Sequence, residues 1–188
     1  MSPEAGEVLA FWFGEDRGVA RDEWFRKDAA FDARIRARFA ALHARAAQGE
    51  LGSWEDEPDG ALALVVVLDQ FSRNLHRNDA RAFAQDAHAL RVAESVVERG
   101  WDAARRPVER LFLYLPFEHA EDALRQDRAV ALLGALERFP ETRGITEWAE
   151  KHRAVIRRFG RFPHRNAALG RLSTPEEAAF LREPGSSF

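Results

Sequence analysis

The sequence of 188 residues contains no cysteine. This absence excludes disulfide scaffolds, zinc–thiolate sites, iron–sulfur clusters and cysteine nucleophiles. Long apolar runs are also missing, because the longest uninterrupted one, residues 61–68, is far shorter than the roughly 20 residues of a membrane-spanning helix. The amino terminus lacks the basic start of a signal peptide. We therefore expect a cytoplasmic protein that does not associate with a membrane.

Neither charge sign is in large excess, since 28 Lys and Arg residues stand against 31 Asp and Glu residues. The net charge of −3 argues against a nucleic-acid-binding surface over the whole molecule. Hydrophobic residues make up 46% of the sequence, an ordinary globular composition with enough apolar surface for a core. Length and composition predict one all-α domain over residues 1–182 and a loose tail over residues 183–188.

Apolar residues recur at helical spacing, and glycine and proline fall mostly between the periodic segments. This pattern predicts an all-α fold in which antiparallel helices form a bundle or a stacked array of helical hairpins. Residues 61–68 contain three successive valines, which favour a strand, but the apolar stripe continues to Leu75 and favours a helix. Helices are predicted over residues 3–13, from about 22, over 60–76, from 79 to before 100, over 107–117, 120–138 and 146–159, and from 175.

Three segments place a dense polar cluster directly after an apolar stretch. The clusters are residues 69–74 (DQFSRN), 118–122 (EHAED) and 157–166 (RRFGRFPHRN). A helix on the protein surface is normally polar along its whole outer face. We therefore expect these charged residues to extend from the ends of buried helices and to face one shared pocket.

The first cluster contains an aspartate and an arginine one helical turn apart. Asp69 and Arg73 share a helix face with apolar residues such as Leu62. This arrangement points the two charges into a cleft or against another charged element. The alternative is a simple ion pair between Asp69 and Arg73.

The second cluster brings Glu118, His119 and Asp122 together within five residues. Crowded carboxylates push their pKa values apart, so these groups could transfer protons or hold a divalent metal ion. The spacing matches no zinc or calcium motif, and we predict pairing of the carboxylates with arginines and no metal site. Pro116 is expected to kink the helix, or to make it restart, before these residues.

The third cluster belongs to a basic stretch, since residues 151–171 hold seven Lys and Arg residues and no acidic one. Arg161 and Arg165 could each hold a carboxylate or phosphate group through two hydrogen bonds. They could instead pair with the carboxylates of residues 118–122 inside the fold. Stacking of nucleic-acid bases on the interleaved phenylalanines is a third alternative, although two core phenylalanines explain the same pattern.

These clusters and their flanking residues resemble the bacterial family known as domain of unknown function 924. The segments that carry the likeness are residues 69–74 (DQFSRN), 112–122 (FLYLPFEHAED) and 159–166 (FGRFPHRN). The likeness extends over nearly the whole chain, from residues 11–13 (FWF) to residues 173–177 (STPEE). The resemblance implies a tetratricopeptide-like, right-handed array of helices in a soluble bacterial protein. It implies no established activity.

Our leading hypothesis is a polar pocket that binds a small anionic or zwitterionic ligand. The predicted ligand contacts are Asp69, Gln70, Arg73, Asn74, Asp122, Arg161, Arg165 and Asn166. If the ligand is a substrate, His119 or His164 would act as general base with Glu118 as its partner, in an acid–base or metal-assisted hydrolase. A third hypothesis is a scaffold whose concave helical surface binds a peptide or protein partner. No cofactor is predicted.

Overall fold

The computed structural model describes residues 1–186, and within that range it contains helices and no β-strand. The α-helices are α1 (Pro3–Phe13), α2 (Ala29–Ala47), α3 (Pro58–Val65), α4 (Ser72–Leu75), α5 (Asp86–Glu98), α6 (Pro107–Glu118), α7 (Ala123–Gly134), α8 (Ile145–Phe159) and α9 (Pro175–Phe180). The predicted all-α fold is confirmed.

A π-helical turn, Val66–Phe71, joins α3 to α4. The residues on either side of it keep right-handed helical backbone angles, so residues 58–75 form one continuous rod with a widened turn in the middle. Residues 61–68 are each at most 1% exposed, which explains why this stretch is apolar on every side. The helical interpretation of that stretch is confirmed, and the π turn is a feature that its periodicity did not predict.

Helix α6 lies at the centre of the packing and contacts α3, α5, α7 and α8. The helices α5, α6, α7 and α8 also pack on one another in chain order. The expected restart at Pro116 does not occur, since α6 continues through this proline to Glu118. Pro116 removes one backbone hydrogen bond of α6, and its ring crowds the carbonyl of Phe112 four residues earlier, so α6 keeps its helical path in spite of this cost.

Aromatic side chains form the core of the amino-terminal half. Trp12 of α1 packs edge-on against Phe112 of α6, with ring centroids 5.4 Å apart. Phe71, the last residue of the π turn, packs against Trp12 at 5.7 Å and against Phe39 of α2 at 5.0 Å. Each such pair adds about 0.5–1.5 kcal/mol beyond its buried area. Phe71 thereby fixes the backbone next to the polar residues of the first cluster.

The second helix starts later than predicted. Asp22–Trp24 forms a separate 3₁₀ turn, and α2 begins at Ala29. The Asp28 carboxylate caps α2 by accepting hydrogen bonds from the backbone N–H groups of Ala30 and Phe31. Either Asp22 or Asp28 could cap a helix according to the sequence, and in the structure Asp28 is the N-cap of α2.

The helices α5 and α7 also begin later than predicted. Asp79 caps only the short turn Ala80–Ala82, and α5 begins at Asp86. Helix α7 begins at Ala123 and takes Asp122 as its N-cap. A capping residue in the sequence therefore predicts where a helical turn begins, but it does not predict how long the helix is.

The carboxyl-terminal helix agrees with its sequence signal. Thr174 and Glu177 exchange the two hydrogen bonds of a capping box at the start of α9. After α9, the Ser186 hydroxyl donates a hydrogen bond to the carbonyl of Leu181. The predicted loose tail also includes residues 187 and 188, which lie outside the described residues.

Candidate functional site

Charged and polar side chains from five stretches of the chain meet in one buried group, which we call the ionic centre. Its members are Asp69, Arg73, Asp86, Glu118, His119, His152 and Arg165. Each of these side chains is at most 20% exposed. The π turn with α4, the first residue of α5, the end of α6, helix α8 and the segment after α8 supply them.

The Asp69 carboxylate is the most enclosed charge of the ionic centre. Its Oδ1 lies 2.7 Å from His119 Nδ1 and 3.0 Å from Arg73 Nη1, and its Oδ2 accepts a hydrogen bond from Gln70 Nε2 at 2.6 Å. Burial raises the pKa of this carboxyl, but the Arg73 charge and the His119 hydrogen bond outweigh burial and hold the pKa well below its usual range. Asp69 is therefore ionised at neutral pH.

An ionised Asp69 defines the proton positions on the His119 ring. Burial and the Arg73 charge lower the pKa of His119, so the ring is neutral at neutral pH. The carboxylate can only accept a hydrogen bond, which assigns the ring proton to Nδ1. The lone pair of the neutral imidazole is then on Nε2. The His119 side chain is 14% exposed.

Arg73 links Asp69 to Asp86. Its Nη1 and Nη2 donate to Asp86 Oδ1 and Oδ2 at 2.9 and 3.1 Å, a two-pronged pairing of guanidinium and carboxylate. Its Nη1 also donates to the backbone carbonyl of Asp69 at 2.9 Å. The predicted ion pair between Asp69 and Arg73 is present, as one part of a larger network.

Arg165 approaches the same carboxylate from the other side. Its Nη1 donates to Asp86 Oδ2 at 3.1 Å, and its guanidinium lies 4.7 Å from the Phe83 ring centroid and 4.5 Å from that of Phe162. Burial and the Arg73 charge lower the pKa of Arg165 to about 10, so the group stays cationic at neutral pH. Its Nε has no hydrogen-bond partner among the described residues.

Glu118 provides an uncharged carboxyl beside this network. The side chain is only 4% exposed, and burial together with the Asp69 charge raises its pKa to about 8. Its Oε1 lies 3.5 Å from His152 Nδ1, which is itself 2.9 Å from the backbone carbonyl of Trp148. Its Oε2 has no partner among the described residues. Glu118 therefore keeps its proton at neutral pH.

His152 is buried, His164 is half-buried, and both are neutral. Burial is the main cause that lowers the pKa of His152 to about 3 and that of His164 to about 4. The His152 and His119 rings are 6.5 Å apart, while the His164 ring packs 5.6 Å from Phe162. His164 thus borders the ionic centre through Phe162 and Arg165.

Two residues of the third cluster form a separate network. Arg161 binds Glu177 of α9 through two hydrogen bonds of 2.6 and 2.8 Å. Asn166 donates to the same carboxylate at 3.3 Å. These contacts fasten α9 to the end of α8, so Arg161 and Asn166 are engaged outside the ionic centre. The internal pairing that the sequence left open was with the carboxylates of residues 118–122, whereas the partner of Arg161 and Asn166 is Glu177.

Asn74 and Asp122 also have other partners. Asn74 donates to Asp32 of α2 at 2.7 Å, and Asp122 accepts from the backbone N–H of Arg125 as the cap of α7. Glu118, His119 and Asp122 therefore do not converge on one point. Within residues 1–186, no group of three or more His, Asp or Glu side chains is arranged to hold a metal ion.

Sequence reasoning missed Asp86, and it did not single out His152 among the four histidines in or near the polar segments. Asp86 occupies the first turn of α5, where an acidic residue is ordinary, and His152 stands in the middle of α8. Neither position differs from a common helix residue until the fold is known. Only the tertiary structure shows that Asp86 joins two arginines that are 92 residues apart in the chain, Arg73 and Arg165.

Two surface clefts lie away from the ionic centre. One of about 270 Å³ is formed between Glu94 of α5 and Arg125 of α7, and one of about 560 Å³ lies beside Trp101 and Arg105. No member of the ionic centre lines either cleft. Among the described helices, none is long and apolar enough to cross a membrane.

The residues that the structure describes form an all-helical fold with a buried ionic centre. This chain belongs to the family described as bacterial protein of unknown function, DUF924, whose model matches residues 8–185. It is similar to the solved structure of a protein of unknown function, ATU0120, from Agrobacterium tumefaciens. The two are 42% identical, the match covers 95% of this chain and 97% of that chain, and the TM-score is 0.86. No curated protein matches this chain. The resemblance based on the three segments is confirmed.

Proposed function

We propose that the ionic centre binds a small anionic or zwitterionic ligand. The observation that carries this proposal is a pair of buried polar atoms, Glu118 Oε2 and Arg165 Nε, that have no partner among the described residues. An unpaired buried donor or acceptor costs about 1–3 kcal/mol, and such groups in native proteins call for an explanation. A ligand that offers an acceptor to Arg165 would remove part of this cost.

The partly exposed members of the ionic centre suggest where a ligand would approach. Arg73, Asp86 and His119 are 14–20% exposed, whereas Glu118 and Arg165 lie deeper. In this proposal the two arginines attract the anionic group of the ligand. His119 Nε2 and the Glu118 carboxyl provide an acceptor and a donor.

Four of the predicted contacts take no part in this narrower site. Arg161, Asn166, Asn74 and Asp122 already satisfy their hydrogen bonds with other elements. Gln70 keeps a supporting role, because its amide holds the Asp69 carboxylate in place.

The pair of Asp69 and His119 favours a second candidate, a hydrolase. A carboxylate on Nδ1 orients an imidazole and raises the basicity of Nε2, so His119 would accept a proton from water. The protonated Glu118 would then donate a proton to the leaving group. His164, which borders the centre, is the alternative base.

The packing of α5 to α8 in chain order is also the arrangement expected of a tetratricopeptide-like array. We propose this description for the carboxyl-terminal half of the fold. The cytoplasmic location stays a prediction.

Thermal unfolding with a panel of small ligands tests the binding proposal. The panel contains acetate, glycine, glutamate, inorganic phosphate and AMP. At least one of them is expected to raise the midpoint, because a ligand that binds only the folded state stabilises it. Arg73→Gln should abolish that increase.

The matched control is Arg77→Gln, which removes an arginine that pairs with Asp32 outside the centre. This variant should keep the ligand-induced increase. The proposal is wrong if no ligand of the panel stabilises the protein, or if Arg73→Gln responds as the unsubstituted chain does.

A further inference from the structure

The Asp86 carboxylate is hydrogen-bonded to both arginines of the ionic centre. Asp86 accepts two hydrogen bonds from Arg73 and one from Arg165 Nη1, all between 2.9 and 3.1 Å. Proteins commonly bind the carboxylate or phosphate group of a ligand with arginine guanidiniums. Here the protein's own side chain fills that position.

Asp86 also balances the charge of the whole centre. Arg73 and Arg165 bring two positive charges, and Asp69 and Asp86 bring two negative ones. Glu118 is protonated at neutral pH because its pKa is raised to about 8, and the buried histidines are neutral. The centre is therefore electrically neutral although it contains four ionised side chains.

We propose that Asp86 determines the charge class of the ligand, so that the ionic centre accepts a zwitterion of zero net charge and rejects multiply charged anions. This inference rests on the binding function proposed above. The zwitterion would place its carboxylate toward Arg165 Nε, whose N–H has no partner among the described residues. Its ammonium group would face the carboxylates of Asp69 and Asp86, which have oxygen lone pairs left to accept it.

The same two carboxylates would repel a multiply charged anion. It would enter a low-dielectric region next to two carboxylates that cannot move away, because Asp69 and Asp86 are each held by at least two hydrogen bonds. Taking such an ion out of water has a large free-energy cost unless the site has excess positive charge. Removal of the Asp86 charge would create that excess at two arginines.

The test compares phosphate binding by three forms of the full chain. Inorganic phosphate is titrated into the unsubstituted protein, Asp86→Asn and the control Asp32→Asn, at constant ionic strength and neutral pH, with calorimetry as the readout. Asp86→Asn is expected to bind phosphate at least tenfold more tightly than the unsubstituted protein. Asp32→Asn also removes a carboxylate from an arginine, Arg77, and it should show no gain.

Several results would overturn the inference. The inference is wrong if the unsubstituted protein binds phosphate as tightly as Asp86→Asn does. It is also wrong if Asp32→Asn shows the same increase in phosphate affinity as Asp86→Asn. If Asp86→Asn does not fold in chloride buffer, circular dichroism is recorded after phosphate is added. Refolding by phosphate, and not by chloride at equal ionic strength, supports the inference, and failure to refold overturns it.

The outcome is separable from that of the proposed function. The proposed function fails when no member of the ligand panel stabilises the unsubstituted protein. The present inference fails in the phosphate comparison, which does not depend on the identity of the natural ligand.

Discussion

Asp69 and His119 are fifty residues apart in the chain and share a hydrogen bond of 2.7 Å between Oδ1 and Nδ1. This contact joins the π turn to the end of α6 and fixes the tautomer of the imidazole. Stability and the position of the imidazole proton therefore depend on the same pair of side chains.

Replacement of the buried carboxylate should strongly destabilise the protein. Asp69→Asn leaves Arg73 and His119 without their shared anion, and the loss of one partner of a buried ion pair costs about 3–5 kcal/mol. Urea unfolding at neutral pH measures the free energy of unfolding. The control is Asp127→Asn, whose carboxylate is 46% exposed and pairs with Arg157 on the surface. A loss in Asp69→Asn no larger than in this control would contradict the ion-pair network described above.

The buried Glu118 carboxyl predicts a loss of stability as pH rises. The pKa of Glu118 is about 8 in the folded protein and near the ordinary glutamate value of 4.5 in the unfolded protein. Between these values the folded state holds the proton and the unfolded state has released it, so stability falls with pH at up to roughly 1.4 kcal/mol per pH unit.

Glu118→Gln should remove that dependence. Urea unfolding of both proteins at several pH values between about 6.5 and 8 gives the comparison, since the titration of the histidines in the unfolded state is common to both proteins and cancels in the difference. The stability of the unsubstituted protein relative to Glu118→Gln should decrease steadily across the window. A constant difference would show that Glu118 is ionised in the folded protein.

The contact between Arg161 and Glu177 predicts a local effect. Arg161→Ala removes both hydrogen bonds between Arg161 and Glu177 of α9, while the hydrogen bond from Arg158 of α8 to Glu176 remains. Amide hydrogen exchange in residues 175–180 should become several-fold faster, while exchange in α6 stays the same, because a terminal element can open without global unfolding. The ligand response of the ionic centre should also remain. Its loss in Arg161→Ala would bring Arg161 back among the ligand contacts.

Two neighbouring glycines give a matched pair of substitutions. A Cβ on Gly60 would lie 2.5 Å from the backbone carbonyl oxygen of Trp54, whereas a Cβ on Gly52 meets no atom within 4 Å. Gly60→Ala should lower the free energy of unfolding by about 1–3 kcal/mol, because the backbone must move to relieve the clash. Gly52→Ala should be neutral or slightly stabilising. Equal stabilities of the two variants, measured by urea unfolding, would contradict the close approach of α3 to Trp54.

The sequence predicts the helices best where a cap is unambiguous. Helix α1 has the predicted bounds, and α9 begins at the capping box of Thr174 and Glu177. The starts of α2 and α5 were wrong, because several acidic residues could serve as caps and local pattern cannot rank them. The widened turn at Val66–Phe71 was missed because its residues look like an ordinary buried helix.

The candidate site was predicted only in part. Periodicity shows which residues share a face of one helix, so Asp69 and Arg73 could be paired from the sequence. It contains no information on which helices meet, and the contacts of Asp86 with Arg165 and of Glu118 with His152 depend on that. Whether the residues brought together bind a ligand stays a prediction.

The widened turn also sets the phase between the two halves of residues 58–75. An α-helix rotates by about 100° per residue, so deletion of one residue between Val66 and Phe71 would turn Arg73 by about that angle relative to Leu62. Arg73 would then no longer point at Asp86, although the apolar half could stay seated in the core. The π turn therefore sets the direction of the charged side chains relative to the apolar residues that precede them in the same rod.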